Sequence, residues 1–286
     1  MRVSVILPTY NRANVLRRSI DSVLKQSFAD FELIIVDDCS TDMTKELIDS
    51  YHDPRIRYIE NEENLGAGAA RNAGVAVSEG ELIAFQDSDD EWLPNKLSQQ
   101  IAVFASSDKN IGMVYSPYDL YVNGQKYSTY GGKIKDNHFS HFLYDPDVGT
   151  PTMLIKREAW DEVGGFASGI ECFEDWEFSL RMAASYDVVN VLETLHIAHY
   201  SGDSVNKNMF HRITASFYIF NKYLEHFQSK EAAGLKLEKI INESFCHEHM
   251  KLYFKLFMET VNRMSKLEMW EAMQAVIAVN KFVLEG

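Results

Sequence analysis

Three strand-length apolar runs, each breaking into a cluster of polar residues, constrain what this chain can fold into more than any other feature. Val3 to Leu7 (VSVIL) runs into Pro8, Thr9, Tyr10 and Asn11. Glu32 to Val36 (ELIIV) runs into Asp37, Asp38, Cys39 and Ser40, and Glu81 to Gln86 (ELIAFQ) into Asp87, Ser88, Asp89 and Asp90. Between them, Val15, Leu16, Ile20, Val23 and Leu24 recur at helical spacing, with Asn14 as the expected N-cap. A helix carrying Met43, Leu47, Ile48 and Tyr51, a strand at Ile56 to Ile59, and a small-residue helix around Ala69 to Val77 follow in the same alternation. Strands alternating with helices imply parallel β-α-β units with right-handed crossovers. In open sheets of that kind ligands bind beyond the C-terminal strand ends, so the three polar clusters are expected to line one cleft. Turn and cap chemistry explains any one cluster as readily, since Asp, Asn and Ser favour both. It explains all three together poorly. Asn123-Gly124 between Tyr-rich segments signals a hairpin, which adds an antiparallel portion after the parallel start.

Composition narrows the ligand. The formal net charge of −14 is carried by the residues up to Asn206, and the remainder is slightly basic. So acidic a chain is not expected to bind nucleic acid. Cys39, Cys172 and Cys246 are odd in number and lack metal-ligand spacing, as expected of a reduced, disulfide-free, cytoplasmic protein. No apolar run approaches membrane-spanning length, and a strand beginning at Val3 leaves a signal peptide unexpected. No proline follows Pro151, and helical stripes replace the alternating pattern. They comprise Phe210, Ile213, Phe217 and Phe220; Ile240, Ile241, Phe245, Leu252 and Phe257; and Trp270, Met273, Val276 and Ile277. We therefore expect an α/β domain over residues 1–206 and an all-helical extension over 207–286. The extension's apolar faces suit packing on the first domain, a homodimer contact, or peripheral association with the inner membrane face.

Asp87, Ser88, Asp89 and Asp90 form the sharpest chemical feature. Carboxylates so close raise one another's pKa unless a cation neutralises them, and hard oxygen ligands suit Mg²⁺ or Mn²⁺. Such an ion would reconcile an acidic cleft with an anionic diphosphate. The competing reading is an acidic N-cap ahead of Trp92-Leu93-Pro94.

Five motifs occur in order: VSVILPTYNR (Val3 to Arg12), ELIIVDDCST (Glu32 to Thr41), NLGAGAARNAG (Asn64 to Gly74), AFQDSDDEW (Ala84 to Trp92) and FEDW (Phe173 to Trp176). Together they resemble an inverting family-2 glycosyltransferase of the GT-A fold, over about the first two thirds of the chain. The resemblance implies an α/β domain with a mixed, mainly parallel central sheet. It also implies that Pro8 and Tyr10 flank the nucleotide base, that Asp38 accepts a uracil N–H, and that Arg71 faces the donor near its diphosphate. Thr9, Asn11, Gly66, Asp87 and Ser88 fall with them among the nucleotide-sugar contacts. Asp87, Asp89 and Asp90 match the metal-binding acidic motif, with Asp89 and Asp90 as the expected ligands. A histidine is expected after them in the chain, where Ser201 stands at the anticipated place and His199 is the candidate ligand. Asp175, second acid of the Glu174-Asp175 pair, matches the catalytic base.

The chemistry of these residue types agrees. A carboxylate accepts the uracil imide N–H, whereas cytosine offers only an acceptor at that edge. Arginine's fork of donors suits phosphate oxygens. Inverting displacement needs a base on the acceptor side, away from the metal, and Asp175 lies far along the chain from the acidic cluster. Helix N-terminal acidity accounts for Asp175 otherwise, and core packing is the ordinary role of Trp92 and Trp176. The activity implied is metal-dependent transfer from a UDP-sugar to a hydroxyl of a saccharide or glycolipid. The alternatives are a non-catalytic nucleotide-sugar-binding protein and a nucleotidyltransferase. Gly66-Ala-Gly68-Ala-Ala-Arg71 fails as a dinucleotide fingerprint, because Arg71 replaces the third glycine and the motif follows the third strand.

Overall fold

The three apolar runs that break into polar clusters become fully buried strands of one sheet. The computed structural model describes residues 1–106, 109–132, 134, 137–144, 148–200, 209–223 and 226. The strands β1 (Val3–Thr9), β2 (Phe31–Asp37), β3 (Ile56–Glu60) and β4 (Leu82–Phe85) come first, followed by the short β5 (Glu91–Trp92). Later come β6 (Ile111–Tyr115), β7 (Tyr118–Val122), β8 (Gln125–Tyr130), β9 (Leu154–Lys156), β10 (Asp187–Asn190) and β11 (His196–His199). The main sheet runs in the order β10-β6-β9-β4-β1-β2-β3. β1 pairs parallel with β2 and β4, β2 with β3, and β10 with β6, while β9 is antiparallel to both β4 and β6. This is the mixed, mainly parallel sheet expected. A second sheet, ordered β5-β11-β7-β8, holds the antiparallel portion, and the β7–β8 hairpin turns at Asn123 and Gly124, both at positive φ (51° and 77°).

Register aligns the strand ends. Thr9 lies opposite Asp37 and Ile6 opposite Phe85, so the chain leaves β1, β2 and β4 at the same edge. Pro8 is tolerated in this central strand because its missing N–H falls just past the end of β4, whose last bond to β1 is Gln86 N–H to Ile6 O at 3.0 Å. Helices α1 (Leu16–Leu24), α2 (Thr44–Asp49), α3 (Ala67–Ala76) and α4 (Lys96–Ala105) follow these strands. α1 starts at Leu16 with Val15 at its N-cap and no side-chain cap, so Asn14 does not cap it as expected. Instead a turn closes on Arg12 O, which accepts the N–H groups of Val15 and Leu16 at 3.0 and 2.9 Å. In α3, Gly74 permits a close approach to the sheet. A Cβ there would stand 2.5 Å from Ile6 Cγ2 and 2.9 Å from Val36 Cγ2.

One core face joins Leu16, Ile20 and Val23 of α1 to Val5, Leu7, Leu33, Ile35 and Ala84 of the sheet. The opposite face carries Phe85, Trp160 and Phe166, whose rings pair at 5.2–5.4 Å between centroids. Helices α5 (His138–Tyr144), α6 (Arg157–Val163) and α7 (Glu174–Ser185), with a 3₁₀ turn at Thr150–Thr152, complete this part.

The chain divides into two compact units, Met1–Gly169 with Asp175–Gly202, and Ile170–Glu174 with Asp203–Gly286. In the second, α8 (Met209–Tyr223) places His211 Nδ1 2.8 Å from Glu171 Oε2 and the Arg212 guanidinium 5.1 Å from the Phe173 ring centre. Phe210, Ile213, Phe217 and Phe220 belong to α8. The expected stripes from Ile240 onward, and Cys246, lie outside the described residues. Among the described residues no helix is long and apolar enough to cross a membrane.

Candidate active site

The candidate site grows out of the strand ends of β1, β2 and β4. Beyond β1, Asn11 adopts positive φ (53°) and stitches two loops together: its N–H donates to Ser40 Oγ at 2.8 Å, and its Oδ1 accepts the Thr41 N–H at 2.8 Å. Tyr10 is 47% exposed beside this junction, while Pro8 and Thr9 are buried within β1. Of the two residues expected to flank a base, only Tyr10 is exposed. Thr9 Oγ1 is buried with no hydrogen-bond partner among the described residues.

Beyond β2, Asp38 is buried, and its carboxylate holds the loop leading into α3. Oδ1 accepts from Asn61 Nδ2 at 2.8 Å and from the Leu65 N–H at 3.1 Å; Oδ2 accepts from the Leu65 N–H at 3.1 Å and the Gly66 N–H at 2.8 Å. Gly66 takes φ +86°, a conformation that only glycine adopts cheaply, and so aims its N–H at Asp38. A carboxylate offers about four acceptor positions, and with the Leu65 N–H shared between both oxygens these three donors engage all four. Sequence reasoning placed Asp38 at the cleft but missed this loop-holding role.

Beyond β4, the acidic turn is fastened from several directions. Arg71, only 5% exposed, sets Nη2 2.6 Å from Asp87 Oδ1, so it is not a surface residue of α3. Burial, followed by the nearby Asp90 carboxylate, pushes the Asp87 carboxyl above the usual range, with Arg71 opposing. Asp90, read from the sequence as a metal ligand, is committed to β11: Oδ2 lies 2.9 Å from His196 Nε2, and Oδ1 accepts the His199 N–H at 3.0 Å. Both of its oxygens therefore anchor the strand that carries His199. Ser88 and Asp89 are half-buried between these anchors. His199 Nε2 lies 3.4 Å from Glu91 Oε2; burial, then the charge of Arg18, depresses its pKa and favours the neutral imidazole.

Buried polar residues of α1 and of the turn just after it complete the support. Ser19 Oγ donates to Asp87 O at 2.7 Å, Ser22 Oγ accepts the Trp92 N–H at 3.1 Å, and Gln26 Nε2 donates to Leu93 O at 2.7 Å. Arg18 donates from Nη2 to Asp89 O. These four were not singled out from sequence. The available signal was polar residues on the inward stripe of an amphipathic helix, at Ser19 and Ser22, with Gln26 just past its end.

Asp175 sits in the first turn of α7, half-buried, as expected. Its Oδ1 accepts the Trp176 N–H at 2.8 Å, and Thr150 Oγ1 lies 3.5 Å from its Oδ2. Trp92 and Trp176 are core residues, 2% and 3% exposed, their indole N–H groups spent on Pro151 O and Phe142 O.

Among the described residues no three His, Cys, Asp or Glu side chains converge as a ready-made metal cage. The donor types do fit a hard divalent cation that takes only a carboxylate or two from protein and the rest from a substrate diphosphate: Asp89 lies in the acidic turn, and His199, its imidazole favoured neutral, is carried by the strand that Asp90 anchors.

The sequence model of glycosyl transferase family 2 matches residues 4–164. The UDP-Glc:alpha-D-GlcNAc-diphosphoundecaprenol beta-1,3-glucosyltransferase WfgD of Escherichia coli is 36% identical over 155 residues. That match covers 54% of this chain and 60% of WfgD, so the chain aligns with less than two thirds of that enzyme's length. The putative colanic acid biosynthesis glycosyl transferase WcaA of E. coli K12 is 30% identical over 259 residues, 84% of this chain and 88% of WcaA. Staphylococcus aureus TarS 1-349 with UDP-GlcNAc superposes with a TM-score of 0.63 at 21% identity, over 85% of this chain and 71% of TarS. The mannosyltransferase PcManGT of Pyrobaculum calidifontis, with GDP-Man and Mn²⁺, does so with 0.62 at 17%, over 97% and 85%. Likeness at these identities shows the GT-A fold.

Proposed function

This chain belongs to glycosyl transferase family 2, and on that premise we propose that it transfers a sugar, with inversion, from a uridine diphosphate donor to a hydroxyl acceptor in the assembly of a surface polysaccharide or glycolipid. The observation that supports this best is the convergence at one sheet edge: Asp38 beyond β2, and the Arg71–Asp87 pair and Asp89 beyond β4. The donor reading is drawn from the UDP-glucose named for WfgD and the UDP-GlcNAc bound to TarS. The GDP-Man bound to PcManGT shows that a common fold admits another base, so selectivity must come from residues such as Asp38 and Tyr10.

In this reading Asp38 accepts the uracil N–H in place of one of its two shared contacts with the Leu65 N–H, and Tyr10 covers the base. Arg71 is held by Asp87 so that its guanidinium faces the diphosphate region without swinging away. Asp89, with His199, would hold Mn²⁺ or Mg²⁺. When bound, that ion supplies positive charge to the diphosphate as it leaves. Asp175 accepts the proton of the acceptor hydroxyl. The hydroxyl oxygen then forms its bond to the anomeric carbon as the bond to the UDP oxygen breaks, on opposite faces of the sugar. Asp90 holds β11 through one contact on each oxygen, and the acceptor positions it keeps leave it a further candidate for the cation.

Incubating the protein with individual UDP-sugars and Mn²⁺, and following UDP release, tests the proposal. Release that needs the cation and falls at least about 100-fold in Asp175→Asn is expected. Tight binding of UDP-sugar without any release would favour a non-catalytic binding protein.

A further inference from the structure

The segment after the acidic turn carries a buried polar cluster that the scheme above leaves unused. Trp92, Lys96 and Gln100 are 2%, 0% and 0% exposed, and all three reach one short stretch of chain, Pro151 to Met153. Trp92 Nε1 donates to Pro151 O at 3.1 Å, Gln100 Nε2 to Thr152 O at 2.7 Å, and Lys96 Nζ to Met153 O at 3.4 Å. Three successive carbonyls are thus each gripped by a different buried side chain. The grips are also tied to each other: Lys96 Nζ donates to Gln100 Oε1 at 2.7 Å and lies 4.2 Å from the centre of the Trp92 ring. Gln100 Nε2 reaches Val114 O as well, at 3.3 Å, which fastens the cluster to β6.

Burying a lysine is expensive, and here burial pushes its amine well below the ordinary lysine range. An apolar residue would fill the same space at less cost, but would leave the carbonyls of the turn without these donors. What the turn presents is Thr150. Its side chain is buried, with Oγ1 3.5 Å from Asp175 Oδ2, while the other carboxylate oxygen takes the Trp176 N–H.

We propose that Trp92, Lys96 and Gln100 form a brace that fixes the Thr150–Thr152 turn, and that Thr150 is a positioning residue for the Asp175 carboxylate. The proposal rests on reading Asp175 as the base. A general base must meet its proton within about 2.6–3.2 Å, and a misplacement of about 1 Å costs on the order of 100-fold. A hydroxyl on one oxygen and an N–H on the other restrict the carboxylate to one orientation. The brace also starts immediately after Asp87 to Asp90. It therefore sets the acceptor side of the reaction centre from the same rigid segment that carries the diphosphate side.

Two measurements test this, one of them independent of turnover. In Gln100→Leu, amide exchange at Thr152 and Met153, whose N–H groups donate to Gly149 O and Thr150 O at 2.9 and 3.2 Å, should accelerate at least about tenfold while amides of β1 keep their rates. Unchanged exchange at those two amides overturns the brace. In Thr150→Val, kcat for UDP release from UDP-glucose or UDP-N-acetylglucosamine with Mn²⁺ should fall about 10- to 100-fold, with UDP affinity unchanged. Thr150→Ser, which restores the hydroxyl, should recover most of it. A wild-type kcat in Thr150→Val overturns the positioning role. Asp175→Asn run alongside separates the two ideas: full activity there counts against the base itself, whereas an inactive Asp175→Asn with a fully active Thr150→Val defeats only the positioning.

Discussion

Asp38→Asn should cost stability as well as donor binding, and the amount follows from the hydrogen bonds. The carboxylate takes Asn61 Nδ2 and the Leu65 N–H on one oxygen, and the Leu65 and Gly66 N–H groups on the other. An amide keeps one oxygen and turns an NH₂ group toward donors, so at least one charge-assisted bond becomes a donor–donor clash. Bonds to charged groups are worth about 1.5–3 kcal/mol each, and the site is buried, so the apo protein should lose about 2–4 kcal/mol. For a domain of this size that is a fall in Tm of roughly 5–12 °C. Urea unfolding and thermal melts of the apo protein measure it, with calorimetric titration of UDP and CDP alongside. UDP affinity should fall, and preference for UDP over CDP should narrow. An apo protein that melts within a degree of wild type, with weaker UDP binding, would refute the loop-holding argument and leave Asp38 serving the ligand alone.

Asp175→Asn should leave UDP and metal affinity nearly unchanged while transfer falls by about 10² to 10⁴, in kcat as well as kcat/KM; poor UDP binding with normal turnover at saturation would make Asp175 a binding residue. Asp89→Asn should weaken Mn²⁺-dependent UDP binding with no change in the apo Tm, so early melting with intact metal dependence would mark Asp89 as a structural cap. Gly74→Ala should destabilise by about 1–3 kcal/mol despite its better helix propensity, because the added Cβ meets Ile6 and Val36; a neutral or stabilising result in urea would show that α3 can shift away from the sheet. Burial alone would raise the Glu32 carboxyl, but hydrogen bonds from Ser4 Oγ and the Glu79 N–H, with the charge of Arg2, bring it below the usual range. Its stabilisation is therefore present above the unfolded glutamate pKa and is lost as pH falls through the lower folded value, so the gap in stability between wild type and Glu32→Gln should close on acidification from about pH 6 to pH 3. A gap that stays constant over that range would mean Glu32 packs as a neutral group.

The strands, their parallel order and the three polar strand ends were legible in the sequence, because a buried parallel strand must be apolar nearly throughout and its pattern is local. The hairpin at Asn123-Gly124 and the helical seat of Asp175 were legible for the same reason: turn chemistry and helical periodicity act over a few residues. What each acid does was not. Asp38, Asp87, Asp89 and Asp90 are the same side chain in like surroundings along the chain. Their roles diverge only when folding brings Leu65 and Gly66 to the first, Arg71 to the second, and His196, 106 residues away, to the last. Lys96 and Gln100 are polar helix residues that become buried only because Thr152 and Met153 close over them. A carboxylate's or an amine's function is set by the donors and charges within a few ångströms of it, and in this chain most of those arrive from distant segments that periodicity cannot name.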